Sequence, residues 1–255
     1  MQKGIKVNLT RIRGSKKEKV LDLVAKEVNF TIFLNGKKLI TLNCSPEKFD
    51  YLGVGFLYTS GILRKKEDIK SIDLDRKQNL MHIKIEDVSL AQEDICGKDI
   101  LLGTNHIKKW QNKFLPLECS LKIKSSLIFS LISKIQKEAV FFKLTGGTHN
   151  CVLAERDGSI ILFSEDISRY NTIYKILGEA LINDILPEDK IILTSCRITS
   201  GILKKIIVGK MPIIISRAAP TDQAIELAQK IGITLVGFAR EERMNVYTHP
   251  GRIEI

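Results

Sequence analysis

The chain has 255 residues, 44% of them hydrophobic and 6% aromatic, with 40 Lys+Arg against 29 Asp+Glu for a formal charge of +11. Near-average apolar and charged fractions in a chain this long exclude disordered and fibrous classes; one large domain or two unequal ones fit. No apolar run approaches the roughly 18 residues of a membrane span, and Met1-Gln2-Lys3-Gly4 leads into a basic stretch without an apolar signal core, so a cytoplasmic protein is expected.

Five cysteines, Cys44, Cys96, Cys119, Cys151 and Cys196, are odd in number and show no CxxC spacing, which argues against a disulfide framework and a structural metal. The charge is concentrated. Residues 1–20 carry seven Lys/Arg against Glu18, and residues 108–143 carry eight Lys against Glu118 and Glu138. Such a field attracts phosphates on a nucleotide, nucleic acid or acidic partner, and reads equally as a solvated surface.

From Val28 the pattern predicts a hairpin, 28–34 and 37–43, turned by Asn35-Gly36. A helix follows, capped by Ser45, with Pro46 in its first turn, Phe49, Leu52, Phe56 and Leu57 at helical spacing and Gly61 at its end. Strands are predicted over 69–74 and 80–85. Residues 86–118 then lose all periodicity and read as a domain boundary or mobile functional loop. Ser125 or Ser126 opens a helix whose Leu127, Ile128, Leu131, Ile132 and Ile135 share a face, and Ala139–Leu144 reads as a strand. A hairpin over 151–155 and 160–164 turns on Asp157-Gly158; a helix carries Tyr170, Ile173, Tyr174 and Leu177. Strands at 191–196, 212–216 and 233–238 alternate with helices at about 200–208 and from Thr221 to Gly232. This alternation argues for a three-layer α/β domain with a substantially parallel sheet over residues 119–255, preceded by a smaller α+β domain and loop over residues 1–118.

Ligands of open α/β sheets gather at the C-terminal ends of strands. Those ends are here small and polar: Thr145-Gly146-Gly147-Thr148-His149, Arg197-Ile198-Thr199-Ser200, Arg217-Ala218-Ala219-Pro220-Thr221 and Ala239-Arg240-Glu241-Glu242-Arg243. Glycines admit close approach, hydroxyls donate to phosphate oxygens, and arginines offer forks for pyrophosphate. Singly, Gly146-Gly147 is a turn, His149 a packed histidine, and Arg197 a partner for Glu165 or Asp166. The recurrence at four strand ends favours a phosphorylated, nucleotide-like ligand.

In order and in register, Thr145–His149, Glu165-Asp166-Ile167-Ser168-Arg169-Tyr170-Asn171, Thr194-Ser195-Cys196-Arg197-Ile198-Thr199, Ala219-Pro220-Thr221 and Leu235–Arg240 with Asn245–Thr248 resemble the signature of the formate dehydrogenase accessory sulfurtransferase family, FdhD. Cys44-Ser45-Pro46, Gly55-Phe56-Leu57 and Gly61-Ile62 are similar to that family's first domain. The resemblance implies a cytidine deaminase-like larger domain with a mixed sheet, a homodimer, and a cytoplasmic carrier that passes persulfide sulfur from a cysteine desulfurase to the molybdenum or tungsten bis(guanine dinucleotide) pterin of formate dehydrogenase. That cofactor would be a bound substrate, held by the loop matching Phe238, Ala239, Arg240, Glu241, Glu242 and Arg243, with Thr145, Gly146, Gly147, Thr148, His149 and Arg197 nearby. The zinc pattern of the deaminases is absent, so deamination is not implied. The chain departs from the family where a C-G-x-C-G segment is common: it offers Cys96-Gly97, with Cys119 further along. Ser168 and Tyr170 replace a Gly and a His, and Cys196 a Gly. Cys96 is the expected persulfide carrier and Cys119 the alternative. Two competing readings are a protein of the same descent that delivers the cofactor without moving sulfur, and a nucleic-acid module, against which the few aromatics and missing recognition motif argue.

Overall fold

Residues 3–86 and 119–255 are described by the computed structural model. They begin with a hairpin that the sequence reading did not single out: β1 (Gly4–Arg13) and β2 (Lys16–Ala25) pair antiparallel, and Gly14 turns them at a φ of 59°. The consecutive charges Lys16, Lys17, Glu18 and Lys19 break the period-two pattern of β2.

Next, β3 (Val28–Leu34) and β4 (Lys37–Cys44) form the Asn-Gly hairpin as expected, with Asn35 and Gly36 both at positive φ. Helix α1 (Phe49–Thr59) follows, then β5 (Ile69–Asp75) and β6 (Leu80–Ile85). The four strands lie in the order β4-β3-β6-β5, with β3 and β6 parallel. One face of this sheet buries Phe30, Ile32, Leu42, Met81 and Ile83 against Phe49, Leu52 and Phe56 of α1. Ser45 does not cap α1. The helix starts behind Lys48, which is left-handed at a φ of 53°, while Ser45 Oγ accepts the Ile167 N–H at 3.1 Å. The expected boundary loop, with Cys96, lies outside the described residues from 87 to 118.

The second part runs β7 (Ile123–Lys124), α2 (Ser125–Glu138), α3 (Val140–Thr145), β8 (His149–Ala154), β9 (Ile160–Asp166) and α4 (Arg169–Ile182). It continues through β10 (Ile191–Thr194), α5 (Ser200–Ile206), β11 (Ile213–Ser216), α6 (Asp222–Ile231), β12 (Thr234–Arg240), β13 (Arg243–Thr248) and β14 (Ile253–Glu254). Of the residues predicted as a strand, 139–144, all but Ala139 are therefore helical, which corrects that reading. A six-residue apolar run does not distinguish the two. The local bonds decide: Glu165 Oε1 accepts the Phe142 N–H at 3.0 Å, and Gly146, at a φ of 65°, closes the turn by donating to the Phe142 carbonyl at 2.7 Å.

Six strands form one sheet in the order β13-β12-β11-β10-β8-β9. Only β10–β11 and β11–β12 are parallel, so the sheet is mixed, less parallel than helix-strand alternation alone suggested. Three layers result. Ile173, Ile176 and Leu177 of α4, Ile202 and Ile206 of α5, and Ala224 and Ala228 of α6 cover one face over Leu153, Ile192, Ile214 and Leu235. Ile128, Leu131, Ile132 and Ile135 of α2 cover the other over Val152, Leu193, Ile215 and Val236. Alternation along each strand thus feeds two separate cores. Among the described residues no helix is long and apolar enough to cross a membrane.

Candidate anion-binding cleft at the strand ends

Because β8 runs antiparallel to β10, its first residues lie beside the last residues of β10, and β11 and β12 end on the same side. A cleft of about 370 Å³ opens there, lined by Phe142, Gly146, Gly147, Thr148, His149, Asn150, Ser195, Arg217, Ala218 and Arg240. Three of the four strand-end segments thus contribute, together with Ser195 at the end of β10.

Each wall has a local cause. The Gly146-Gly147 turn is held by Thr145, whose hydroxyl donates to the Phe141 carbonyl at 2.9 Å and accepts the Gly147 N–H at 3.2 Å. Thr145 thus shapes the turn and is not among the lining residues. Buried Thr148 donates to Glu165 Oε1 at 3.4 Å. Burial raises the Glu165 carboxyl above its ordinary range, opposed by the Phe142 N–H. His149 is held below the ordinary imidazole range by burial first and by Arg169 second, with Asp166 acting in the opposite sense. Burial and Arg169 both favour the neutral ring.

Arg217 and Arg240 give the cleft its sign. Arg240 Nε donates to the Arg217 carbonyl at 3.3 Å, while the buried Arg217 Nε has no partner among the described residues. Neither guanidinium is ion-paired there. Burial and then Arg240 push the Arg217 pKa down. Two cations without an ion-pair partner among the described residues, lining one cleft, are a setting an anion relieves.

The remaining sequence candidates lie apart. Phe238 takes a φ of 50° in a bulge of β12, its N–H on the Ala218 carbonyl at 3.1 Å, and Ala239 is buried under α2. Glu241 and Glu242 form the exposed β12–β13 turn, and Arg243 pairs in register with Arg240 on an exposed strand end. So residues 238–243 form a hairpin tip, of which Arg240 alone lines the cleft. Arg197 is exposed and also outside the lining. Glu165 and Asp166 are engaged elsewhere. Asp166 pairs with Lys175 at 2.6 Å, both fully buried, and accepts the Ser45 N–H at 3.1 Å, the Ser168 N–H at 2.9 Å and Asn171 Nδ2 at 3.0 Å. Asn171 Nδ2 also reaches the Asn43 carbonyl at 2.8 Å, so this motif ties β4 to β9 and α4. Sequence reasoning missed Asn150 and Phe142: the first follows a histidine with nothing to mark it, and the second was read into a strand.

The described cysteines divide clearly. Cys44, Cys151 and Cys196 are buried. Burial, then Asp166, pushes the Cys44 thiol up to about 12, and burial raises Cys151 and Cys196 as well. Cys119 is partly exposed, but its carbonyl accepts from Arg252, which also donates to the Gly232 carbonyl and Thr234 Oγ1. It therefore sits by the start of β12, whereas the cleft is at its end. Six residue steps separate those ends, about 20 Å at the usual strand rise.

Fold and cleft together define an α/β protein with an arginine-lined cleft at its strand ends. The FdhD/NarQ family model matches residues 25–254, and the chain belongs to that family. A relative from Shouchella clausii is 30% identical, covering 100% of this chain and 99% of the relative; one from Bacillus subtilis is 34% identical over 92% of each. Both carry the name sulfur carrier protein FdhD. A crystal structure described as that of a formate dehydrogenase accessory protein from Desulfotalea psychrophila superposes with a TM-score of 0.86 at 27% identity, covering 99% of this chain and 100% of its own.

Proposed function

We propose that the chain is a cytoplasmic sulfur carrier and sulfurtransferase serving formate dehydrogenase. It takes persulfide sulfur from a cysteine desulfurase and hands it to the molybdenum or tungsten bis(guanine dinucleotide) pterin, bound as a substrate, with the protein working as a homodimer. The observation that carries this reading is that Arg217 and Arg240, neither of them ion-paired among the described residues, line one cleft of about 370 Å³ with the Gly146-Gly147 turn. That volume suits one nucleotide end of the cofactor.

In the loading step a carrier thiolate attacks the terminal sulfur of the desulfurase persulfide. The new S–S bond forms on the carrier, the old one breaks, and the desulfurase cysteine leaves as its thiolate. The three buried thiols are poor candidates because burial keeps them protonated. Cys119 lies by the start of β12, at the other end of that strand from the cleft. These facts support Cys96 as the carrier.

Calorimetry with GDP tests the site. Arg217→Ala and Arg240→Ala should each weaken binding by about 1.5–3 kcal/mol, the range of a hydrogen bond to a charged group, and Arg243→Ala by much less. Unchanged affinity in both of the first two variants would sink the assignment.

A further inference from the structure

The floor of the cleft carries a polar group that the fold itself does not use. Asn150 is 2% exposed. Its main chain is engaged: the N–H donates to Ser195 Oγ at 3.0 Å, and the carbonyl accepts the Ser195 N–H at 3.0 Å and Thr194 Oγ1 at 3.1 Å. The side-chain Oδ1 is nevertheless buried without a partner among the described residues. On the same face of β8, Val152 and Ala154 belong to the apolar core under α2, so packing alone would favour an apolar side chain here. In the same lining, Arg217 buries an Nε that is also unpartnered. An orphaned acceptor and an orphaned donor in the lining of one cavity describe what a ligand there would present: an N–H and an acceptor.

We propose that Asn150 is a specificity-determining residue which, with Arg217, reads the edge of a guanine base. This rests on the reading of the cleft as a nucleotide site and names the part of it that selects the base. A phosphate group offers acceptors only and leaves Oδ1 unpaired. Guanine presents the N1–H and N2–H donors next to the O6 and N7 acceptors, so Oδ1 accepts from the first pair while the guanidinium donates to the second. Adenine sets its N6 donor between N1 and N7, where a guanidinium, which has donors alone, opposes it. Arg240, exposed in the same lining, is left for the phosphates. A site whose buried polar groups go unpaired with the wrong base rejects that base strongly.

The experiment compares GDP, ADP and inorganic pyrophosphate by calorimetry on the full chain and on Asn150→Ala, with thermal melting to confirm that the variant folds. The wild type should prefer GDP to ADP at least tenfold. Asn150→Ala should lose at least tenfold in GDP affinity and most of that preference, and leave pyrophosphate affinity unchanged. Asn150→Asp, which keeps an acceptor at the same place, should retain the preference and decides the matter if Asn150→Ala fails to fold. Equal binding of GDP and ADP by the wild type, with pyrophosphate still bound, overturns the base-reading role and leaves the anion site standing. So does an Asn150→Ala variant that weakens GDP and pyrophosphate alike. Binding of neither GDP nor pyrophosphate overturns both readings.

Discussion

Gly55 of α1 and Gly178 of α4 meet backbone to backbone: a methyl on Gly55 would overlap the Tyr174 carbonyl, and one on Gly178 would overlap the Tyr51 carbonyl and crowd the Gly55 amide. This contact seats the helix of the four-stranded sheet directly on a helix of the six-stranded one, with Phe56 edge-on to Tyr174 at 5.6 Å beside it. On an exposed helix, alanine would gain about 1 kcal/mol over glycine. Here the overlap is with main-chain atoms that cannot rotate away, and overpacking of that kind costs about 1–3 kcal/mol or more. The packing term wins. Gly178→Ala should lower stability in urea unfolding by about 2 kcal/mol, and an unchanged or raised midpoint would show that the helices separate freely.

The Asp166–Lys175 pair poses a different balance. With both side chains fully buried, removing one partner leaves an uncompensated charge, which typically costs about 3–5 kcal/mol. Lys175→Met should therefore be severely destabilised. The double variant Asp166→Asn, Lys175→Met removes both charges and keeps one amide oxygen for Ser168 and Asn171, while its NH2 meets the Ser45 N–H, so it should recover part of the loss. If the double variant is no more stable than the single one in denaturant titration, the charge argument fails.

His149 makes stability fall on acidification. Its folded pKa is lowered by burial and Arg169, so the unfolded chain binds the proton more readily. Stability from this residue is complete above the ordinary pKa near 6.5 and is lost as pH falls below it towards the folded value. Thermal melts from pH 8 to 5 should show a steeper loss in the wild type than in His149→Gln. Parallel curves would mean that the ring is solvated and its neighbours do not act on it.

How far the sequence disclosed this arrangement depended on where each signal was local. The Asn35-Gly36 turn, the Asp157-Gly158 hairpin and the α2 stripe of Ile128, Leu131, Ile132 and Ile135 were legible because turn chemistry and helical spacing lie within a few residues. The strand-end rule likewise reached Thr148, His149, Arg217 and Arg240. What it could not reach was set by distant partners. Ser45 looks like a cap until Ile167, 122 residues away, takes its oxygen. Residues 139–144 look like a strand until Glu165 receives the Phe142 N–H. The loop expected at 238–243 is a hairpin tip because β13 pairs with β12, and of its residues Arg240 lines the cleft while Arg243, its cross-strand partner, does not. Asn150 carries no signal except its burial without a partner.

The sulfur itself gives the last prediction. Loading the protein with labelled sulfur from a cysteine desulfurase and mapping the label by mass spectrometry should place it on Cys96. Cys44, Cys151 and Cys196 should stay unlabelled, since a thiol raised by burial is both protonated and out of reach of a second protein. Cys119→Ala should load as the wild type does, because the Cys119 backbone is bound to Arg252 at the start of β12, about 20 Å along that strand from the cleft. Cys96→Ala should lose the label. Full retention by Cys96→Ala with loss in Cys119→Ala would move the carrier to Cys119, and the sulfur would then have to cross the length of β12 to reach a ligand held by Arg217 and Arg240.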